Sequence, residues 1–221
     1  MKTVSLTIDG RTVTAPAGTT ILNAARSAGM DIPHLCYDPR VEPIGSCRLC
    51  GVKVEGLRGL VAACGQAVSE GMKVIAEDDE LALRRKHVLE LLLSDHCSTC
   101  IGCDKSGACK LQDYAYRYHA DQNRFGVYAP KPNGTNFTTL NKGILYDAEK
   151  CIRCGLCVKY CETVQMAEAL TFAWRANRMV VTTPFDEDLH TTSCELCGGC
   201  IRVCPTGAML DKAAIGQGRE A

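Results

Sequence analysis

The sequence predicts an α+β protein made of three small units and a connector. Three observations support this fold class: the first residues alternate like paired strands, residues 78–94 carry a helical apolar stripe, and one cysteine pattern occurs twice near the C-terminus. We expect the units at residues 1–77, 78–120 and 148–221, with the connector over residues 121–147.

The first unit begins with a predicted hairpin and helix. Apolar residues alternate from Val4 to Ile8, and Asp9-Gly10 is a typical hairpin turn. Thr20 can cap the helix that follows, and Gly29 can end it. A hairpin followed by a helix is a β-grasp-like start.

The second unit is predicted to begin with a long helix. The acidic residues 78–80 favour a helix N-terminus, and leucine recurs at helical spacing between Leu81 and Leu93. The connector is marked by turn-forming residues, among them Pro130, Pro132 and Asn133-Gly134.

Composition limits the classes of function. Sixteen of the 221 residues are cysteine, in groups rather than spread along the chain. The N-terminus lacks the apolar core of a secretory signal, so we expect a cytoplasmic protein whose reduced thiols are metal ligands. The 25 basic and 25 acidic residues balance, and no apolar run approaches the roughly 20 residues of a membrane span. We therefore expect neither nucleic acid nor a membrane as partner.

The strongest metal signal is a C-x2-C-x2-C-x3-C run that occurs twice, offset by 43 residues. Three cysteines of such a run can hold three corners of a [4Fe–4S] cluster, while the fourth ligates the neighbouring cluster, as in bacterial two-cluster ferredoxins. We expect the fourth cysteine to begin a helix leading away. The first-run set is then Cys151, Cys154, Cys157 and Cys204, and the second-run set is Cys194, Cys197, Cys200 and Cys161.

Zinc is the alternative metal for these runs. Zinc usually pairs two C-x2-C knuckles, which would leave the third cysteine of each run without a role. Gly155 and Gly198, after the second cysteine of each run, suit a backbone that passes close to a cluster. Pro205 follows Cys204 as in ferredoxins. The residue after Cys161 is Glu162 instead of proline, a departure that changes no ligand position.

Four further cysteines follow the β-grasp-like start, and they suit a [2Fe–2S] cluster. Their first gap is longer than in the plant-type C-x4-C-x2-C core, so the match is to a variant of that pattern. This N-terminal set is Cys36, Cys47, Cys50 and Cys64.

The middle group holds one potential ligand too many for a four-ligand site. Cys97, Cys100 and Cys103 repeat the local spacing of the ferredoxin runs, but His96 precedes them directly and Cys109 follows. From spacing alone, either His96 or Cys97 can complete a site with the other three cysteines.

Taken together, the order of these motifs resembles a known family over nearly the whole chain. The chain is similar to the N-terminal part of the large iron–sulfur subunit of complex I and of iron-only hydrogenases. The resemblance lies in the order of three motifs: a hairpin–helix [2Fe–2S] domain, then H-x3-C-x2-C-x5-C, then the twin C-x2-C-x2-C-x3-C runs. They also resemble the diaphorase-side iron–sulfur subunit of NAD-linked nickel–iron hydrogenases and subunits of formate dehydrogenases. The resemblance implies a middle set of His96, Cys100, Cys103 and Cys109, with Cys97 left over.

The resemblance implies one [2Fe–2S] and three [4Fe–4S] clusters in an electron-transfer subunit of an oxidoreductase complex. One partner would be a flavin/NAD(H)-binding subunit and the other a hydrogenase or formate dehydrogenase catalytic subunit, with ferredoxin and electron bifurcation as an option. We find no acid–base pair, nucleophile or phosphate-binding loop, and we expect no catalytic domain after Cys204.

Two other classes of function remain open from the sequence. A free-standing polyferredoxin carrier is one, although such carriers are usually strongly acidic and this chain is neutral. A zinc-dependent interaction module is the other. A transhydrogenase complex is a further setting for the same subunit role.

Overall fold

The computed structural model describes residues 2–97, 100–126, 143–211 and 213. The predicted turn residues Pro130, Pro132 and Asn133-Gly134 therefore lie outside the described residues. Across the described ranges, helices and short sheets are mixed, which confirms the α+β class. No described helix has the length and apolar character needed to cross a bilayer.

The first unit is a five-stranded sheet with one helix packed on it. The predicted hairpin is β1 (Thr3–Ile8) paired with β2 (Arg11–Pro16), joined by Asp9 and Gly10, both at positive φ. Helix α1 (Ile21–Ser27) starts at Thr20, whose hydroxyl accepts a hydrogen bond from the Asn23 N–H.

Three short strands complete this sheet. They are β3 (Gly51–Val54), β4 (Leu60–Ala62) and β5 (Lys73–Ile75). The strand order is β2-β1-β5-β3-β4, and β5 runs parallel to β1. This parallel pairing brings the two ends of the first unit together. Cys36, Cys47 and Cys50 lie in the segment between α1 and β3, and Cys64 follows β4.

The second unit contains two helices. Helix α2 (Asp79–Leu93) is capped by the Asp78 carboxylate, which accepts a hydrogen bond from the Leu81 N–H at 2.7 Å. Helix α3 (Lys110–Arg117) starts directly after Cys109, and Leu111 is its buried residue. A 3-10 turn over Cys100–Gly102 lies between them.

The third unit has two antiparallel strand pairs and two short helices. Strand β6 (Ile144–Tyr146) pairs with β9 (Met209–Asp211), and β7 (Thr171–Ala173) pairs with β8 (Val180–Thr182). The helices are α4 (Leu156–Thr163) and α5 (Gly199–Val203).

The expected position of these helices relative to the cysteines was wrong. Each begins after the second cysteine of its run, at Gly155 or Gly198, rather than at the fourth. Both glycines adopt the left-handed conformation, at φ 83° and 69°, which turns the chain into the helix. As a result Cys161 lies inside α4, one turn after Cys157, and Cys204 caps the end of α5.

Candidate metal centres

The N-terminal set is buried at one side of the β-grasp sheet. Cys50 and Cys64 belong to the core of the first unit, while Cys36 and Cys47 face a second apolar cluster shared with α2 and α3. The Cys47 N–H donates to the Cys36 sulfur at 3.3 Å. The structure therefore brings the four predicted thiols of this set together.

These thiols interact in pairs. The hydrogen bond between the Cys36 and Cys47 side chains lowers the pKa of Cys36 to about 5 and raises the pKa of Cys47. In the same way the hydrogen bond with Cys64 raises the pKa of Cys50. Four buried thiols of this kind are suited to an iron-containing group, because iron cations would compensate the thiolate charges that burial opposes.

The middle set lies around a small cavity at the start of α3. His96 is buried, with 8% of its surface exposed, and burial raises the pKa of Cys109. Cys97 also lines the cavity, so the structure leaves both fourth-ligand alternatives in place. The lining residues are His96, Cys97, Cys100, Cys103, Ser106, Cys109, Gln112 and Gly207.

The first-run set lies in the core of the third unit. Burial raises the pKa of Cys154 and Cys157, and the sulfurs of Cys151 and Cys204 are near enough to add electrostatically to both shifts. The Arg153 N–H donates to the Cys151 sulfur at 3.4 Å. Hydrogen bonds to ligand sulfurs are one of the levers on cluster potential.

The second-run set lies around a cavity in the third unit. Cys161 lines it together with Cys194, Cys197 and Cys200, the four cysteines of the predicted second-run set. Burial raises the pKa of Cys200 to about 12, whereas Cys197 is exposed. Most other lining residues are apolar.

Sequence reasoning missed the residues that join the ligand sets. The Ser46 hydroxyl, next to Cys47, donates to the Cys154 carbonyl at 3.1 Å. The Cys109 sulfur lies 3.8 Å from the Pro205 carbonyl oxygen. A neighbour of Cys47 thus contacts the first-run set, and a neighbour of Cys204 contacts the middle set. These contacts link residues about a hundred positions apart, and no local pattern marks them.

Gly207 shows how close the third unit comes to the middle set. A Cβ atom there would lie 2.9 Å from the Cys103 sulfur and 3.0 Å from Lys105 Cβ. Only glycine fits this approach without displacing its neighbours. Glycine is required at position 207 by lack of space and not by backbone conformation, because the φ of Gly207 is not in the left-handed region.

The donor chemistry of these sets fits an iron–sulfur cluster. Within the described ranges, no three His, Cys, Asp or Glu side chains are arranged to hold one ion. An iron–sulfur cluster binds its four cysteines through several irons, so the ligand sulfurs lie further apart than around one ion. Cavities lined by four such ligands, as in the middle and second-run sets, have the donor chemistry for a cluster.

Three family models match successive parts of the chain. A "2Fe-2S iron-sulfur cluster binding domain" matches residues 1–79. An "NADH-ubiquinone oxidoreductase-G iron-sulfur binding region" matches residues 85–124, and a "4Fe-4S dicluster domain" matches residues 150–208. The class that fold and site define is thus an iron–sulfur protein with both [2Fe–2S] and [4Fe–4S] domains.

Relatives define the family more narrowly. The chain is 38% identical to the NADP-reducing hydrogenase subunit HndD of Solidesulfovibrio fructosivorans, over 100% of this chain and 38% of that subunit. It is 34% identical to the mitochondrial NADH-ubiquinone oxidoreductase 78 kDa subunit of Candida albicans, over 95% of this chain and 28% of that subunit. The chain therefore spans 38% or less of the length of these curated relatives.

A solved structure matches at nearly full length. A chain in the crystal structure of an NAD+-reducing [NiFe]-hydrogenase in the H2-reduced state is 32% identical, with a TM-score of 0.86. The match covers 96% of this chain and 88% of that one. The chain belongs to the family of iron–sulfur electron-transfer subunits shared by complex I and NAD(P)-linked hydrogenases, which confirms the resemblance noted in its motifs.

Proposed function

We propose that this chain is the electron-transfer subunit of an NAD(P)-linked hydrogenase complex. It would connect a flavin/NAD(H)-binding subunit with a hydrogenase catalytic subunit. The support is that two of the similar proteins are hydrogenases by name, one NADP-reducing and one NAD+-reducing. We propose no substrate conversion on the chain itself, because we assign its clustered cysteines and His96 to the clusters.

We propose four clusters, which when bound accept and release one electron at a time. A [2Fe–2S] cluster would be held by the N-terminal set, and [4Fe–4S] clusters by the middle, first-run and second-run sets. The observation that carries this proposal is the sharing of one cavity by Cys161 and the three cysteines of the second run. Two-cluster ferredoxins exchange their fourth ligands in this way.

The first-run set is proposed as the junction of the chain. Ser46 joins it to the N-terminal set, and Pro205 and Gly207 join it to the middle set. The second-run set is linked to it through the chain, since Cys161 lies in the helix of the first run and Cys204 follows the helix of the second run. Short contacts of this kind, between a ligand of one set and a neighbour of another set's ligand, suit electron exchange.

Metal analysis of the chain purified without oxygen tests the cluster proposal. We expect about 14 iron atoms and as many sulfides per chain, the content of one [2Fe–2S] and three [4Fe–4S] clusters. Mössbauer spectra should contain both cluster types. Zinc in place of iron would contradict the proposal.

Analysis of the complex from its native host tests the partners. We expect nickel or a hydrogenase iron centre together with flavin, and hydrogen-dependent reduction of NAD(P). Molybdenum or tungsten with formate oxidation would instead indicate a formate dehydrogenase, and flavin alone a transhydrogenase. A chain that purifies without partners would favour the free-standing carrier. Hydrogen oxidation that also needs ferredoxin would indicate bifurcation.

A further inference from the structure

We propose that Arg85 is a positioning residue for the [2Fe–2S] centre, which holds the loop between Cys47 and Cys50 and raises the reduction potential of that centre. The proposal rests on the N-terminal set proposed above. The sequence gives no hint of this role, because Arg85 lies in a run of basic residues typical of a solvated helix face.

The guanidinium group binds the backbone on both sides of Cys50. Its Nε donates to the carbonyl of Leu49 at 3.3 Å, and its Nη2 donates to the carbonyl of Gly51 at 3.2 Å. The planar fork of arginine makes such paired bonds directional, whereas lysine presents a single point of charge. The orientation of Cys50 is therefore fixed through its two neighbours.

The same group also ties this loop to the end of the sheet and to α3. Nη2 donates to the Ala76 carbonyl at 2.6 Å, and Nη1 donates to the Glu77 carboxylate at 2.6 Å and to the Tyr118 hydroxyl at 3.4 Å. One side chain thus joins three segments of the first two units. A shift of α2 would be transmitted to the ligand loop.

The charge of Arg85 is buried, but its counterion is not. The Arg85 side chain is 3% exposed, while the paired Glu77 side chain is 44% exposed. Water screens the carboxylate more than the guanidinium, so a net positive field remains at the ligand loop. Reduction adds negative charge to a cluster, and a nearby buried cation favours that state.

Arg84 provides a matched control. It is the neighbouring residue on α2 and carries the same charge, but its side chain is 59% exposed and pairs with Glu80 across one helical turn at 3.0 Å. It makes none of the loop contacts of Arg85 among the described hydrogen bonds. Any effect of general charge or helix propensity should appear equally in variants of both residues.

The experiment is an EPR-monitored redox titration of the [2Fe–2S] signal in the full chain. We expect Arg85→Met to shift the midpoint to lower potential and to change the g-values, while Arg84→Met matches the wild type. Arg85→Lys, which keeps the charge and loses the fork, should keep most of the potential with altered g-values. An Arg85→Met protein with wild-type midpoint and g-values overturns the proposal.

A second pair of variants decides the case if Arg85→Met fails to bind the cluster. Glu77→Gln removes the exposed counterion and should raise the midpoint, whereas Glu80→Gln on the same surface should leave it unchanged. Equal midpoints in both variants overturn the proposal. Absence of any [2Fe–2S] signal in the wild-type chain would instead contradict the ligand set on which it rests.

Discussion

The two cysteine runs of the third unit have the same backbone conformation but lie in different environments. In each run the residue before the second cysteine has a positive φ, 53° at Arg153 and 56° at Leu196, and a left-handed glycine follows that cysteine. The spacing C-x2-C-x2-C has therefore produced the same local structure twice.

The surroundings of the runs differ. No residue from 151 to 157 is exposed, and Arg153 pairs with Asp95 of the second unit at 2.5 Å. In the second run Cys197 is exposed and Leu196 is 54% exposed. The comparison teaches that ligand spacing sets the local fold, while long-range contacts decide whether a centre lies between units or at the surface.

The largest expected effect is at Gly199, where the second run has glycine and the first run has the buried Leu156. A Cβ at Gly199 would lie 2.1 Å from the Tyr160 ring. We expect Gly199→Ala to lose the second-run centre, with about four irons missing per chain. Iron analysis and EPR check this, and Tyr160→Ala should restore binding in the double variant. Full iron content in Gly199→Ala alone would show that the ring moves freely.

The next effect is at Gly207, on the side of the first-run set that faces the middle set. Gly207→Ala places a methyl group against the Cys103 sulfur and should destabilise the chain by about 1–3 kcal/mol, as overpacking does. We expect a weaker middle-set signal and an unchanged second-run signal. Denaturant unfolding and EPR of the same sample measure both. An equal loss of both signals would contradict the separation of the two regions.

A third prediction concerns the choice between His96 and Cys97. If His96 is a ligand, His96→Cys replaces a neutral ligand by a negative one and should lower the potential of the middle-set centre. Cys97→Ser is the control and should leave that potential unchanged. EPR titration of both variants is the measurement. The opposite pattern would make Cys97 the ligand.

The smallest effect is expected at Ser46. Ser46→Ala removes its hydrogen bond to the Cys154 carbonyl and should cost about 0.5–1 kcal/mol, because the hydroxyl is exposed. Ser27→Ala removes a similar exposed hydrogen bond within α1 and serves as the control. Both should lose similar stability in denaturant, but only Ser46→Ala should slow electron exchange between the N-terminal and first-run centres. Equal exchange rates would deny Ser46 a role at the junction.

Much of this molecule was predictable because its signals are local. The Asp9-Gly10 hairpin, the Thr20 and Asp78 caps and the spacing of the cysteines all act within a few residues. The burial of Arg85 and Glu90 in α2 was not predictable, since Arg85 binds carbonyls of the first unit and Glu90 pairs with Arg124 of the connector. The helix starts at Gly155 and Gly198 were also missed, because the left-handed turn depends on backbone conformation rather than on apolar pattern.

The most direct test of the central claim is EPR of the fully reduced chain in Cys154→Ala and Cys197→Ala. We propose that the first-run centre lies between the N-terminal and middle sets on one side and the second-run set on the other. Loss of the first-run centre should therefore remove magnetic broadening from the middle-set signal, whereas loss of the second-run centre should leave that signal unchanged. A middle-set signal that responds to Cys197→Ala and ignores Cys154→Ala would contradict the account.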